Sequence, residues 1–379
     1  MNDFKIKKTF FIGLSVFPLI DFFAPYKIPY LSIGVYLFLW LMFWSRETEY
    51  YLLLIAFVVV NVLSVLFNIA LNGFNKEQMY YILVMLTFSM LAFGVCSEKK
   101  IYIDMLYKMV LLYFCINTCI YFYRFIQYRD FSRVRGGMSI YGGNSAHFIY
   151  LAMLFLLKQY MDKKWNRYFL ILGVCVVNAV MFVSKGAIII TFIWILTDII
   201  HYKESKILSK KNIMIGIMMV LLIIIVCSYK TDFLSYLINR FIGWKNLYQI
   251  SGSIMGERGL IFEFSIQYMR ENPIYLFFGI GPTNYRLINP WSYSNPHNLF
   301  LDVLMNTGIL GCLLFLGMII KTFCNVQHKF YYVLCIAYAT LEGVALFFID
   351  GASCIVTGYA FMFIAVTFIY SQNYKFNNF

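Results

Sequence analysis

Long apolar runs recur along the whole of this sequence and limit what it can fold into. Hydrophobic residues make up 61% of its 379 residues and charged residues only 13%, whereas a soluble domain carries about 25% charged residues. Many runs approach the roughly 20 apolar residues that a helix needs to cross a bilayer. They are continuous and do not alternate with a period of two, which favours helices over a barrel. The sequence therefore predicts an all-α polytopic membrane protein.

The runs divide into about twelve transmembrane helices, which we interpret as a single domain over residues 1–379. The first run follows the basic segment MNDFKIKK, but no small-residue cleavage site comes after it, and we interpret it as a retained helix. Residues 230–297 form a large loop that is predicted to contain short helices. The predicted spans are 9–24, 29–45, 50–70, 79–96, 102–123, 145–160, 167–183, 186–201, 212–229, 298–320, 331–349 and 354–371.

The distribution of lysine and arginine predicts the orientation of these helices. Cytoplasmic loops of membrane proteins are rich in these residues, and here most of them fall in the segments that share a side with the N-terminus. Both termini are therefore predicted to be cytoplasmic and the 230–297 loop periplasmic. Most of the net charge of +13 belongs to this orientation signal.

One short loop on the predicted outer side is nevertheless dense in arginine. The segment RFIQYRDFSRVR ends at Arg133 and Arg135, and a glycine-rich turn follows before Asn144 opens a helix. Glycines allow close approach of the backbone to a ligand, and a helix N-terminus favours anions. The pattern suits a phosphate or diphosphate; snorkelling of the arginines to lipid headgroups is the alternative. His147, in the same helix start, is interpreted as structural.

Further cations follow on the predicted outer side. Lys185 lies in the sequence VSKGA, at a break between two apolar runs, where it either binds an anion or snorkels. In the large loop, a helix is predicted from near Gly256 to Pro273, because proline ends helices. Glu257 in its first turn suits the helix dipole, whereas Arg258 does not and is expected to have a partner or ligand. Arg240 and Arg286 of the loop are either ligand-binding or solvated.

A histidine and an asparagine stand at the end of the large loop, directly before an apolar run. His297 can take a proton from a hydroxyl group, or it can cap the helix together with Asn298. Asp302 lies about one turn further along and is a candidate to orient the imidazole. Acidic residues inside membrane segments are functional candidates by default.

The sequence lacks the motifs of several classes of enzyme and metal site. The nine cysteines contain no CxxC pair and are interpreted as small core residues. No HExxH, DxD, P-loop or GxSxG pattern is present. We therefore expect no metal, no cofactor and no nucleic-acid partner, and a substrate that carries its own activation.

Taken in order, these residues resemble the superfamily of O-antigen polymerases (Wzy-type) and O-antigen ligases, bacterial membrane enzymes with about twelve helices and one large periplasmic loop. The resemblance covers residues 133–311. It rests on the arginine loop with its later asparagine, the Ser-Lys-Gly turn at 184–186, the loop helix headed by Arg258, the GIG turn at 279–281, and the HN…G..G segment from His297 to Gly311. Lys185 stands where the family pattern has arginine, and lysine lacks the bidentate fork of a guanidinium.

The resemblance implies a metal-independent, inverting transfer of a glycan from undecaprenyl diphosphate at the periplasmic face of the inner membrane. His297, Arg258 and Glu257 would be catalytic. The residues expected to bind substrate or diphosphate are Arg133, Arg135, Asn144, Lys185, Arg240, Arg286 and Asn298. The expected partners are the lipid-linked oligosaccharide as donor and acceptor, membrane lipids, and a chain-length regulator and flippase of the same pathway.

Two other functions are open at this point. An O-antigen ligase would transfer the glycan to the lipid A core, and only the acceptor distinguishes it from a polymerase. The 39 Phe and 31 Tyr, together with many Ile and Lys, indicate an AT-rich gene, which is typical of surface-polysaccharide clusters and favours the polymerase. A flippase or transporter would have repeats and broken helices with charges near the bilayer midplane, whereas the charges here gather at the outer boundary.

Overall fold

A computed structural model gives the architecture of the chain. It describes residues 52–73, 78–79, 81–82, 85–86, 99–128, 143–160, 165–182, 184–201, 257–282, 284–290, 296–344, 346 and 353–372. Throughout these residues the regular secondary structure is helical, as the composition predicts. The predicted spans 9–24, 29–45 and 212–229 and most of 79–96 lie outside them, as do both termini. The count of about twelve spans, estimated from apolar run length, and the orientation therefore stay predictions.

The helices with defined bounds are numbered here in chain order. Six predicted spans correspond to α1 to α5 and α11, with ends that differ by a few residues. The bounds are α1 Leu52–Asn72, α2 Lys99–Tyr128, α3 Gly143–Tyr160, α4 Trp165–Phe182, α5 Lys185–His201, α6 Glu257–Glu271, α7 Pro273–Phe278, α8 Tyr285–Ile288, α9 Leu299–Asn325, α10 Lys329–Glu342 and α11 Ser353–Gln372.

Three of these helices are long and apolar enough to cross a membrane when the described residues are judged by length and composition. They are Leu52–Asn72, Ile103–Tyr123 within α2, and Leu299–Asn325, the last of which is interrupted at Gly308. Trp165–Met181 and Ala360–Gln372 are shorter apolar helices. These elements support a protein built in the membrane.

Helix α3 occupies the centre of the bundle. It packs against α2, α4, α10 and α11, and every residue from Ala146 to Leu157 is buried. A helix that is apolar on all sides is stable only when other helices surround it. The N-terminal end of α3 therefore lies beside the C-terminal ends of its antiparallel neighbours α4 and α10 and the start of α5.

A cluster around a partly buried ion pair joins four of these helices at the opposite end of the bundle. Lys158 of α3 lies 2.5 Å from Asp198 of α5. Tyr331 of α10 donates to the same carboxylate at 2.6 Å, and Tyr168 of α4 donates to its other oxygen. Lys158 also lies 4.1 Å from the ring centroid of Tyr331. This cluster fixes the relative positions of α3, α4, α5 and α10 far from the residues that the sequence singles out.

The predicted span 298–320 is not one straight helix. Gly308 has φ 70° and ψ −173° inside α9, and the ring centroids of Phe300 and Phe315 are only 6.1 Å apart. Fifteen residues of a continuous helix would span about 22 Å. The chain therefore turns back sharply at Gly308, and residues 299–307 lie against residues 309–325.

The turn at 279–281 packs into this bend. The N–H of Ile280 donates to the carbonyl of Met305 at 2.7 Å, and a Cβ on Gly308 would lie 2.7 Å from the backbone nitrogen of Phe278. Ser64 of α1 donates to the carbonyl of Asn306 at 2.8 Å. The bend leaves the carbonyls of Met305 and Asn306 without a partner inside the helix. The loop binds the Met305 carbonyl, and α1 binds the Asn306 carbonyl.

The predicted span 331–349 is too long. Helix α10 ends at Glu342, because Gly343 adopts the left-handed conformation (φ 64°, ψ 55°) and its N–H donates to the carbonyl of Ala339. Glycine is the usual residue at this position after a helix. The 14 residues of α10 rise about 21 Å, which is less than the thickness of a hydrocarbon core. Glu342 exposes only 12% of its side chain and Gly343 is buried, so the end of α10 packs against other parts of the protein.

The bend at Gly308 gives a testable prediction. Gly308→Ala places a Cβ at positive φ and against the backbone of residues 277–278, and we expect it to lower the free energy of unfolding by about 1–3 kcal/mol. Gly173→Ala, in α4, meets nothing within 4 Å and should stabilise the protein by about 0.5–1 kcal/mol. Unfolding of both variants in detergent, followed by circular dichroism, measures the difference; equal midpoints would contradict the bend.

Candidate functional site

Residues from four separate parts of the chain meet at the end of α10. The Glu342 carboxylate accepts a hydrogen bond from the Gly186 N–H at 2.7 Å, and its other oxygen lies 3.6 Å from a guanidinium nitrogen of Arg258. The backbone carbonyl of Glu342 accepts from the Asn144 side chain at 2.8 Å. Arg258 also donates to the carbonyl of Leu341. The last turn of α10 thereby joins α3, α5 and α6.

The chemistry of a helix end explains these contacts. The last four carbonyls of a helix have no partner within it, and the helix dipole places partial negative charge there. Arg258 and Asn144 supply the missing donors for Leu341 and Glu342. The partner that the sequence predicts for Arg258 is therefore the end of α10. Arg258 still exposes 52% of its side chain, so the side chain is accessible to a ligand.

The Ser-Lys-Gly turn begins α5 beside the same carboxylate. The N–H of Ala187 donates to the Ser184 hydroxyl at 3.3 Å, and the N–H of Ile188 donates to the Ser184 carbonyl at 3.0 Å. A Cβ on Gly186 would overlap the carboxylate of Glu342. Lys185 is half-buried as the first residue of the helix. Glycine at 186 is thus required by the approach of Glu342.

His297 lies against the residue that ends α10. A Cβ on Gly343 would lie 2.6 Å from the His297 carbonyl carbon. His297 itself has φ 50°, a conformation uncommon for a residue other than glycine and found at strained positions in functional sites. The side chain of His297 is half-buried. The bend in α9 and the glycine after α10 together bring the histidine to the site.

Asn298 caps the helix that follows. Its side-chain oxygen accepts from the N–H groups of Phe300 and Leu301, each at 3.1 Å, as an N-cap residue does. The capping function at this helix start therefore belongs to Asn298, and His297 precedes the cap.

Asp302 fixes the segment after α10 to α9. Its side chain is buried and accepts from the Leu346 N–H at 3.1 Å and from the Asn306 side chain at 2.9 Å. The carboxylate thus holds the chain just after Gly343. That Asp302 also orients the imidazole of His297 stays a prediction.

His147 is a core residue, as its interpretation from the sequence says. It is fully buried, and its two ring nitrogens lie 3.1 Å from the Thr191 hydroxyl and 3.1 Å from the Asn178 amide nitrogen. Its ring centroid is 4.9 Å from that of Tyr338. These contacts join α3, α4, α5 and α10 one turn below Asn144.

The remaining predicted residues are placed as follows. Glu257 begins α6, and its side chain is not among the described residues. Arg286 is exposed on α8, which packs against α6 where the Tyr285 and Ser265 hydroxyls lie 2.9 Å apart. Burial raises the pKa of Tyr285 to about 12, so this hydroxyl stays protonated. Arg133, Arg135 and Arg240 lie outside the described residues.

An apolar groove lies beside this site. It has a volume of about 500 Å³ and runs between the two halves of α9 and α10. Phe300 and Leu341 line one end, and Phe323 and Val333 line the other. Leu341 is the residue whose carbonyl binds Arg258, and Phe300 is three residues from His297. We call this feature the α9–α10 groove; its volume is in the range of ligand pockets.

Glu342 is the site residue that the sequence reading misses. The predicted span 331–349 places it inside a continuous transmembrane helix. The sequence signal for Glu342 is an acidic residue directly before a glycine in an otherwise apolar run, TLEGVALFF. Intramembrane acids are functional candidates, and glycine ends helices. Among the described residues, no group of three or more His, Cys, Asp or Glu could hold a metal ion.

Comparison with protein-family models finds a match over just under half of the chain. Residues 141–316 match the O-antigen ligase family. This match supports a relationship to the superfamily of O-antigen ligases and polymerases. The resemblance seen in the sequence is thereby confirmed. No curated protein and no solved structure matches the chain.

The O-antigen ligase region contains most of the site. Asn144, Lys185, Arg258 and His297 lie within it, whereas it begins after Arg135 and ends before Glu342. Members of this family are membrane enzymes of the glycosyltransferase type, and the family fits the polymerase and ligase group. The contacts at the end of α10 therefore connect the family region to a residue outside it.

Proposed function

We propose that this protein polymerises a surface polysaccharide by joining repeat units that are linked to undecaprenyl diphosphate. The observation that carries the proposal is the position of a half-exposed arginine, a helix N-terminus and a histidine at one end of an apolar groove. A lipid-linked donor has the matching parts: a long apolar tail, an anionic diphosphate and a sugar. The O-antigen ligase match supports this class of donor.

Arg258 is proposed to bind the diphosphate of the donor. About half of its side chain stays exposed, and its contact with Glu342 holds it beside the start of α5. A guanidinium stabilises the charge that develops on a leaving diphosphate. Lys185 and Asn144 flank this position, and we propose that Arg133, Arg135, Arg240 and Arg286 add further contacts to the anion or the glycan.

His297 is proposed to act on the acceptor. Its imidazole takes the proton of an acceptor hydroxyl as the oxygen attacks the anomeric carbon. The bond between that carbon and the diphosphate oxygen breaks, and its electron pair leaves with the diphosphate. A single displacement inverts the anomeric configuration. Glu257 and Asn298 complete the proposed set, and no metal takes part. We place the site at the periplasmic face of the bacterial inner membrane.

The acceptor decides between the two members of the superfamily. We favour a second lipid-linked repeat unit, because the composition is typical of surface-polysaccharide gene clusters. The alternative is an O-antigen ligase that uses the lipid A core. A chain-length regulator and a flippase of the same pathway are the proposed protein partners of the polymerase.

The proposal is tested with purified protein and one lipid-linked repeat unit as the sole substrate. We expect a ladder of products that is insensitive to chelators. His297→Ala should abolish it, and Arg258→Ala should slow it by about 100-fold or more because it removes a contact to the leaving group. Arg270→Ala is the matched control, since Arg270 lies in the last turn of the same helix; it should behave as the wild type.

Three results would contradict this function. Wild-type rates in Arg258→Ala would contradict the role of Arg258 in diphosphate binding. Loss of activity with a chelator, restored by magnesium, would contradict a metal-independent reaction. A wild type that makes product only when lipid A core is added would be a ligase.

The α9–α10 groove gives a second prediction about the donor. Ala337 lines its middle, and Ala337→Trp should fill it. We expect the KM for a donor with the full undecaprenyl chain to rise several-fold, while the KM for a short-chain analogue is unchanged, because only the long tail occupies the groove. Leu196→Trp is the control, since Leu196 is 40% exposed on α5, outside the groove. An equal KM change for both donors would contradict tail binding there.

A further inference from the structure

We propose that Glu342 is a positioning residue for the transfer reaction. Its carboxylate sets the place of the Arg258 guanidinium relative to the start of α5. The inference rests on the proposed function of Arg258 and adds a residue outside the family match. It is argued from the charge, burial and contacts of Glu342.

The location of this acid conflicts with the local electrostatics of its own helix. Glu342 is the last residue of α10, where the helix dipole disfavours negative charge. Only 12% of its side chain is exposed, and taking a carboxylate out of water costs several kcal/mol. A neutral residue would avoid both costs. Residues that break a local rule in this way are expected at functional sites.

Among the described residues, the contacts that stabilise the Glu342 carboxylate come from other helices. The Gly186 N–H, in the first turn of α5, binds one carboxylate oxygen at 2.7 Å. Arg258, from the loop helix α6, lies 3.6 Å from the other. Glycine at 186 leaves room for the carboxylate, which a Cβ would overlap. One side chain thus sets the spacing between a helix N-terminus and a cation that are distant in sequence.

These contacts fix the Arg258 side chain and still leave it accessible to a ligand. One guanidinium nitrogen donates to the Leu341 carbonyl, and the 3.6 Å separation from Glu342 is longer than a hydrogen bond. About half of the side chain stays exposed. A charged group that is already oriented stabilises a transition state without reorganising during the reaction. The fixed guanidinium therefore acts on the charge of the leaving diphosphate as it develops.

This arrangement predicts that kcat falls and that KM does not rise. Without the Glu342 charge the guanidinium loses its fixed direction, so kcat falls. The same charge repels the diphosphate of the bound donor, so its removal does not weaken ground-state binding and KM does not rise. A purely structural role would instead lower the amount of folded protein, or change both constants through general loosening.

The test uses full-length Glu342→Gln with the lipid-linked donor. We expect kcat to fall by about 10- to 100-fold, the size of effect seen when a catalytic group is misplaced, with KM equal to or below that of the wild type. In an Arg258→Ala background the same substitution should have no further effect, because the residue acts through Arg258. Glu263→Gln is the matched control: it removes the same charge from an exposed position on α6.

A wild-type kcat in Glu342→Gln would overturn the proposal, and so would an equal loss in the wild-type and Arg258→Ala backgrounds. Gly186→Ala is the second variant, for the case that Glu342→Gln does not accumulate. This variant keeps the Glu342 carboxylate but displaces it, so kcat should fall as in Glu342→Gln. Full activity in Gly186→Ala would also overturn the proposal. Failure of the proposed function itself is distinguishable, because the wild-type protein would then not convert the donor.

Discussion

A helix that ends inside a bundle must find partners for its last carbonyls, and the rest of this structure depends on how α10 does so. Its end is closed by Gly343, and donors come from Asn144 of α3 and Arg258 of α6. The loop helix is thereby joined to the core of the bundle. The same contacts bring together the residues proposed to bind a diphosphate. In this chain the hydrogen bonds that complete the fold also build the site.

The bend in α9 supplies the other half of the arrangement. A straight helix after Asn298 would carry the chain directly across the bilayer. At Gly308 it turns back instead, and the 279–281 turn and α1 bind the backbone groups that the bend exposes. Residues 299–307 thus lie between the bundle and the loop, with Leu299 in the main core and Leu301 in the loop core. Both His297 and the α9–α10 groove owe their positions to this bend.

Much of this could be predicted from the sequence, because apolar periodicity and charge placement are local signals. They give the helical class, the bounds of α1 to α5 and α11, the loop helix that ends before Pro273, and the residues Asn144, Arg258 and His297. Two features could not be found in this way. The bend requires Gly308 to adopt a positive φ that only packing against residues 277–278 selects. The function of Glu342 depends on partners that lie 84 or more residues away in the sequence.

The central claim is that a lipid diphosphate binds with its head at Arg258 and its tail in the α9–α10 groove. The most direct measurement is a cryo-electron microscopy map of the full-length protein in nanodiscs with undecaprenyl diphosphate. The account predicts phosphate density within hydrogen-bond distance of Arg258, near the start of α5, and chain density running past Leu341 and Ala337. Lipid density in another crevice, with no phosphate density at Arg258 and the groove filled only by bulk lipid, would contradict it.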